Sequence, residues 1–170
     1  KPMPGYRFIA SNTDRSRYYV GELNGKSSKQ AYMDALHISE SNIINQTFHN
    51  PLGKMNGQDI CIISLKEVSG NGLCCYRQVN DSDVLVLLEE QDYNEILDET
   101  LQRIRRDFNH ISGVFSINCV FRYLLFSQEH HMEDYLKTMS TLGEHAGLIG
   151  FGEHYNQQFV NQTMTCVVFE

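Results

Sequence analysis

The residues best suited to bind a small molecule lie towards the end of the sequence. Arg122 interrupts an apolar run, and a planar guanidinium can hold a carboxylate or phosphate through two parallel hydrogen bonds. The segment Gly150-Phe151-Gly152-Glu153 places an aromatic ring and a carboxylate beside permissive glycine backbone. An opposed arginine and glutamate suit the two ends of an amino acid. The alternatives are a structural ion pair, with Glu153 as a candidate partner, and a plain bend at a strand edge.

Neutral side chains close to these charges offer further hydrogen bonds. Asn161 and Thr163 could each contact a ligand, or hold the last turn through the local backbone. Ser116, Asn118 and Arg122 fall on one alternating phase of an otherwise apolar run. These polar residues would therefore face the same side of a strand.

The five cysteines include no C-x-x-C pair. Cys119 precedes Arg122, and a nearby guanidinium can lower a thiol pKa and make the thiolate nucleophilic. No His-Asp partner set is identifiable for it, and a buried inert thiol is the alternative. Cys74-Cys75 could be redox-active, or one thiol could be core and the other half exposed. The odd number and the apolar settings predict five reduced thiols in the cytoplasm.

Neither the histidines nor the glycines form a recognised cofactor motif. The run Glu129-His130-His131-Met132-Glu133 lacks the H-E-x-x-H spacing of zinc sites, and adjacent histidines point to different faces of a helix or a strand. The glycines at 150 and 152 lack both the third glycine of a dinucleotide fingerprint and the Lys-Ser/Thr of a P-loop. We therefore predict no metal, no cofactor and no catalytic residue.

Composition indicates an ordinary globular domain. Hydrophobic residues make up 41% of the 170 residues, and the net charge of -7 disfavours sequence-independent nucleic-acid binding. No apolar run reaches the roughly 18 residues of a membrane span, so no direct membrane insertion is expected. We expect residues 1–170 to form a single domain. Because the chain starts at Lys1 without Met, we also expect it to be excised from a longer protein.

Hydrophobic periodicity predicts the elements of the fold. Strands are expected at 6–10, 17–23, 59–68, 72–79, 83–88, 113–125, 148–152 and 163–169. Helices are expected at 27–37, 92–108 and 132–142, and aperiodic loops at 39–57 and 153–162. The three strands from 59 to 88 resemble a meander, and only the 39–57 loop could separate subdomains. The order ββα-βββ-αβαββ, with about three α-helices, predicts an α+β fold with a largely antiparallel or mixed sheet.

These elements predict where a pocket would form. A helix of about 12 residues can return the chain across a sheet, so the strand carrying Arg122 and the segment 150–153 should be neighbours. In that arrangement Arg122 would bind the anionic end of a ligand and Glu153 the cationic end. Phe151 would form an apolar wall, and Asn161 and Thr163 would lie at the rim.

The last sixty residues carry a recognisable combination of segments. An apolar run 113–122 contains Phe-Ser-x-x-Cys and ends at an arginine, and the segments 147–153 and 161–165 follow. Earlier in the chain, Asn24-Gly25-Lys26 precedes a tyrosine, and 51–53 reads Pro-Leu-Gly. Together these segments resemble the C-terminal part of the FIST domain (FIST C), the F-box and intracellular signal transduction sensor module, over nearly the whole chain.

The resemblance implies a non-catalytic intracellular sensory domain. Its expected ligand is a small molecule such as an amino acid or a related metabolite. The expected partners are an N-terminal FIST half and a fused or associated output domain, such as a kinase, chemotaxis transducer, cyclase-type domain or F-box. The competing hypotheses are a protein-interaction or substrate-recruiting module without a small ligand, and an enzyme that uses Cys119 or the histidines.

Overall fold

The structure, a computed structural model, describes residues 1–57, 59–155 and 158–170. The chain divides into two units, Lys1–Glu90 and Gln91–Glu170. The division therefore falls after the third run of the predicted meander, and the expectation that only the 39–57 segment could separate subdomains is wrong. In the part of the chain that the structure describes, no helix has both the length and the apolar character needed to cross a membrane.

The first unit contains one sheet of eight strands and two α-helices. Its strands are β1 Pro2–Asp14, β2 Tyr19–Leu23, β3 Lys26–Ser27, β4 Leu52–Asn56, β5 Asp59–Ile63, β6 Leu65–Ser69, β7 Gly72–Cys75 and β8 Val84–Leu88. Its helices are α1 Ser28–Leu36 and α2 Ile43–Gln46, with a 3-10 turn at Glu40–Asn42. The strand order is β5-β4-β8-β1-β2-β7-β6, with β3 paired to β2.

A single long strand joins the two halves of this sheet. Up to Ile9, β1 pairs with β8, and from Ala10 it pairs with β2, in both cases antiparallel. Asn24 supports the strand where it changes partner, because its side chain accepts from the Ile9 amide at 2.8 Å and donates to the Arg7 carbonyl at 3.0 Å. Helix α1 buries Ala31, Tyr32 and Ala35 within the core cluster of this unit.

The predicted meander is wrong in its pairing. The hairpin between β6 and β7 forms as expected, but β8 pairs with β1 and β4 instead of β7. Strand β4 lies inside the 39–57 segment that was expected to be a loop. Its glycine explains the miss: a Cβ on Gly53 would come within 2.6 Å of the Ile60 side chain and 3.0 Å of Leu88. Close packing therefore requires glycine at this position. Because glycine is typical of turns, the sequence predicted a loop here and not a strand.

The second unit has a three-stranded sheet, a short hairpin and three helices. Its elements are α3 Tyr93–Asp107, β9 Gly113–Cys119, α4 Val120–Gln128, α5 Met132–Ser140, β10 Glu144–Gly150, β11 Glu153–Tyr155, β12 Gln158–Val160 and β13 Met164–Phe169. Strand β9 is central, parallel to β10 and antiparallel to β13. The loop predicted at 153–162 instead contains the β11–β12 hairpin, and its residues 156 and 157 lie outside the described residues.

The predicted strand 113–125 is wrong beyond Cys119, where helix α4 begins. From Val120 to Phe126 every residue except Arg122 is apolar or aromatic, and such a short run does not distinguish a strand from a helix. In the helix, Arg122 and Phe126 are four residues apart and therefore share a face. Arg122 is thus a helical residue, placed one turn after the strand ends.

The fold class is confirmed as α+β with mostly antiparallel sheets. The helices predicted at 27–37, 92–108 and 132–142 correspond to α1, α3 and α5, while α2 and α4 were missed. Strands β9 and β10 are neighbours, as the pocket prediction required, with Cys119 opposite Gly150. Strand β10 begins at Glu144, four residues before the predicted start at 148.

All five cysteines are free thiols, four of them buried and Cys166 half-buried. Burial raises the pKa of Cys75 to about 12 and raises those of Cys74, Cys119 and Cys166. We therefore expect slow alkylation of the native protein at pH 7, because the thiolate is the reactive form. Titration of denatured, non-reduced protein should count five thiols. A smaller number, or fast reaction of all thiols in native protein, would contradict this.

Candidate functional site

The central strand of the second unit buries polar side chains on one face. Side chains alternate along β9, and Val114, Ser116 and Asn118 share the buried side. Ser116 is 1% exposed and Asn118 6%, so each polar atom there needs a hydrogen-bond partner. Tyr135, from helix α5, lies against this face and is also buried.

The Tyr135 hydroxyl is the centre of a buried hydrogen-bond network. The Asn118 amide donates to it at 2.7 Å, Ser116 Oγ lies 3.3 Å away, and the hydroxyl donates to the Met164 sulfur at 3.2 Å. Ser116 Oγ also lies 2.9 Å from His145 Nε2 on β10. Burial lowers the pKa of His145, which favours the neutral imidazole. The network therefore crosses from β10 through β9 to α5 and β13.

Arg122 extends this network from the first turn of α4. Its Nε donates to Asn118 Oδ1 at 3.2 Å, and its guanidinium carbon lies 4.7 Å from the centre of the Phe126 ring and 5.9 Å from that of Tyr135. Among the described residues, neither Nη group has a hydrogen-bond or ion-pair partner. Burial lowers the pKa of Arg122, which still remains a cation at neutral pH. This half-buried cation therefore has unused donors.

Glu153 is a buried carboxyl group at the same end of β9. It is 2% exposed; Oε2 accepts from the Thr163 hydroxyl at 3.0 Å, and Oε1 has no partner within the described parts of the chain. Burial raises the pKa of Glu153, while hydrogen bonding to Thr163 and Cys119 and attraction by Arg122 act in the opposite direction. Arg122 and Glu153 thus attract each other without forming an ion pair.

The environment of Cys119 does not activate its thiol. Burial raises the Cys119 pKa, and the Glu153 carboxylate raises it further, which outweighs hydrogen bonds from the backbone of Phe121, Gln162 and Thr163. The expectation that Arg122 could lower this pKa is therefore not met.

The predicted pocket residues occupy different environments. Arg122, Glu153 and Thr163 lie together, Gly150 ends β10 opposite Cys119, and Asn161 is buried. Phe151 is 91% exposed and therefore lies outside the buried cluster. Gly152 has φ of +133°, and the Phe159 ring occupies the position of its missing Cβ, so only glycine fits this turn.

A cavity of about 160 Å³ adjoins the polar network. Its polar wall is formed by Ser116, Asn118, Tyr135 and His145, and its apolar wall includes Phe126, Met132, Leu136 and Ile149. Gly147 also lines the cavity, and a Cβ there would come within 2.5 Å of Ser116 Oγ. The glycine therefore leaves room for the serine hydroxyl.

The sequence indicated only part of this wall. The shared phase of Ser116 and Asn118 was visible, but Tyr135 and His145 reach the site from elements whose contacts no local pattern reveals. The other histidines pack elsewhere: His131 lies against Tyr93 and Phe126, and His154 against Phe159.

Comparison with protein families identifies the class of domain that this fold and site represent. The family model of the FIST C domain matches residues 29–156, which is most of the chain. The protein therefore belongs to the FIST C family, a sensor-type domain of signal transduction. Searches of the curated proteins and of the solved structures gave no match.

The hydroxyl of Tyr135 should contribute measurably to stability. Replacing it by Tyr135→Phe leaves the buried Asn118 amide without its acceptor, which should lower the free energy of unfolding by about 1–3 kcal/mol. Urea unfolding of both proteins measures the difference. The control is Tyr123→Phe on exposed α4 surface, where we expect a change below about 0.5 kcal/mol. Equal effects of the two substitutions would contradict the network.

The raised pKa of Glu153 predicts a pH dependence of stability. Between the unfolded value and the raised folded value, the native state binds more protons than the unfolded state. Stability linked to this carboxyl is therefore present below the ordinary pKa of 4.5 and is lost as pH rises through the folded pKa. Glu153→Gln should thus become more stable relative to the parent as pH increases. Exposed Glu99→Gln is the control, and parallel pH profiles for the two variants would refute the prediction.

Proposed function

We propose that this FIST C domain senses a small polar metabolite, such as an amino acid, that binds at the carboxyl end of β9. One observation carries the proposal. Among the described residues, the Nη donors of Arg122 have no partner, and Oε1 of the nearby buried Glu153 has no donor. Buried polar groups are normally satisfied, so a buried carboxyl oxygen without a partner among the described residues, close to a half-buried cation with free donors, supports a ligand site.

In this proposal Arg122 and Glu153 bind opposite ends of the ligand. The Nη groups of Arg122 bind a carboxylate, for which the planar guanidinium has the right geometry. The free Glu153 oxygen accepts from an ammonium group, which would favour the ionised form of the carboxyl. Thr163 and Gly150 border this position, and in the proposal Asn161 contributes at its rim and the exposed Phe151 ring covers a bound ligand.

We further propose that the domain transmits binding without catalysis. Its effect would pass to an N-terminal FIST half and a signalling output domain in the cytoplasm, as part of a longer protein. The high pKa of Cys119 supports a non-catalytic role, because a neutral buried thiol is a poor nucleophile.

An interaction role is the second candidate, and a bare apolar sheet face favours it. Leu148, Val167 and Phe169 are each about half exposed. Leu148 lies opposite Ile117, and Val167 lies opposite Phe115, so these side chains are adjacent across three strands. Contiguous exposed apolar surface often marks a protein contact. If this face carries the function, Val167→Glu should abolish signalling in the full-length protein while leaving any ligand-induced thermal shift unchanged.

The sensing proposal predicts a ligand-dependent increase in stability. A thermal-shift screen of amino acids and related acids should find at least one compound that stabilises the protein, by about 2.7 kcal/mol when its concentration is 100 times Kd. Arg122→Ala should weaken binding by about 2–5 kcal/mol, because the ligand carboxylate would lose its partner in a desolvated site. Glu153→Gln should weaken the binding of amino acids in the same range.

Folding is checked first by circular dichroism, with exposed Arg103→Ala as the matched control. If both site variants are folded and bind as tightly as the parent, the pocket lies elsewhere. If they unfold, Arg122 and Glu153 have a structural role, and the binding proposal fails at these residues.

A further inference from the structure

The cavity beside the Arg122 guanidinium adds information about the class of ligand. We propose that the ligand is a carboxylic acid with a compact apolar or aromatic side chain, which fills the cavity while the carboxylate binds Arg122. This inference rests on the proposed sensing function and specifies the chemistry of the molecule sensed.

The walls of the cavity carry no formal charge. In the ranges that the structure describes, no Asp, Glu, Lys or Arg lines it, and His145 is held towards its neutral form by burial. Phe126, Met132, Leu136 and Ile149 are among the non-polar residues that line it. A charged or strongly hydrated side chain would therefore lose its water without gaining a partner of opposite charge.

The polar wall is already satisfied by its own hydrogen bonds. Asn118 donates to Tyr135 and accepts from Arg122, the Tyr135 hydroxyl contacts Met164, and Ser116 contacts His145. An apolar group can therefore enter the cavity without leaving these donors and acceptors unpaired. This feature separates the cavity from a site that recognises a polar side chain, where wall groups stay unpaired until the ligand arrives.

Arg122 is placed to bind the acid group of a molecule in the cavity. It contacts three of the lining residues, through a hydrogen bond to Asn118 and through the rings of Phe126 and Tyr135. The guanidinium is thus held through Nε beside residues that line the cavity, and its two Nη groups have no partner among the described residues. The contact with the Phe126 ring, together with the bond to Asn118, restricts the guanidinium, which reduces the entropy lost when a carboxylate binds.

The volume limits the size of the side chain. The cavity measures about 160 Å³, and an apolar cavity of about 150 Å³ is known to accept benzene. A phenyl ring or a branched aliphatic group therefore fits within it, whereas part of an indole ring or of a longer chain would lie outside it, because the cavity is partly open where Leu136 and Ile149 are exposed.

Isothermal titration with four probes tests the proposal. We expect 3-phenylpropanoate or phenylalanine to bind at least about tenfold more tightly than serine or glutamate, because only the first two fill the apolar cavity. Leu136→Trp, which places a larger side chain in the cavity wall, should weaken binding of the preferred acid by on the order of tenfold or more. Lys137→Trp, on the exposed neighbouring position of α5, is the control and should bind as the parent does.

The outcomes distinguish this inference from the sensing proposal. If serine or glutamate binds best and binding requires Arg122, the apolar specificity is wrong and sensing stands. If none of the four probes binds, the apolar-acid inference is overturned, and failure of the wider screen would overturn sensing as well. If Leu136→Trp does not fold, the ranking of the four probes on the parent protein decides the specificity alone.

Discussion

The second unit depends on burying polar side chains in the middle of a sheet and satisfying each of them. Ser116 and Asn118 lie on a central strand, where Ser116 is 1% exposed and Asn118 is 6% exposed. Their partners come from separate elements: Tyr135 from α5, His145 from β10 and Arg122 from α4. Because an unpaired buried polar group costs about 1–3 kcal/mol, this network fixes how the helices pack on the strands. The same network holds the Arg122 cation next to Asn118, one of the residues that line the cavity.

The network also explains why the hydrogen-bonding groups of the site that have no partners among the described residues lie only at the carboxyl end of β9. Around Tyr135 the buried polar side chains bond to one another. The adjoining cavity is consequently suited to apolar groups. At the carboxyl end of β9, by contrast, the Nη groups of Arg122 and Oε1 of Glu153 lack partners among the described residues. A ligand shifts a conformational equilibrium only through a difference in interaction energy between the two states, and in the proposed function the free Arg122 donors and the buried Glu153 oxygen would supply that difference. Sensing in this account therefore uses groups that the fold positions without fully satisfying them.

Local sequence patterns predicted the elements with strong periodicity and failed where tertiary packing decided. Helices α1, α3 and α5 have clear apolar faces and were predicted. Strand β4 was missed because close packing against Ile60 and Leu88 requires Gly53. Helix α4 was missed because nearly all residues of its first two turns are apolar or aromatic, so the sequence shows no helical periodicity there. Arg122 and Glu153 stood out as charges near apolar segments, whereas Tyr135 and His145 could not be placed, since only the parallel pairing of β9 with β10 and the return of α5 bring them to Ser116.

Chemical-shift mapping with 3-phenylpropanoate tests the central claim most directly, because it reports which residues the ligand contacts. The account predicts that titration into isotopically labelled protein perturbs the Arg122 Nε–H and Asn118 side-chain amide signals together with the methyl groups of Met132 and Leu136. These groups belong to the network and to the apolar wall respectively. Perturbations confined to Lys1–Glu90 would contradict the claim that the ligand binds at β9, and a complete absence of perturbations would contradict the claim that an apolar acid binds there.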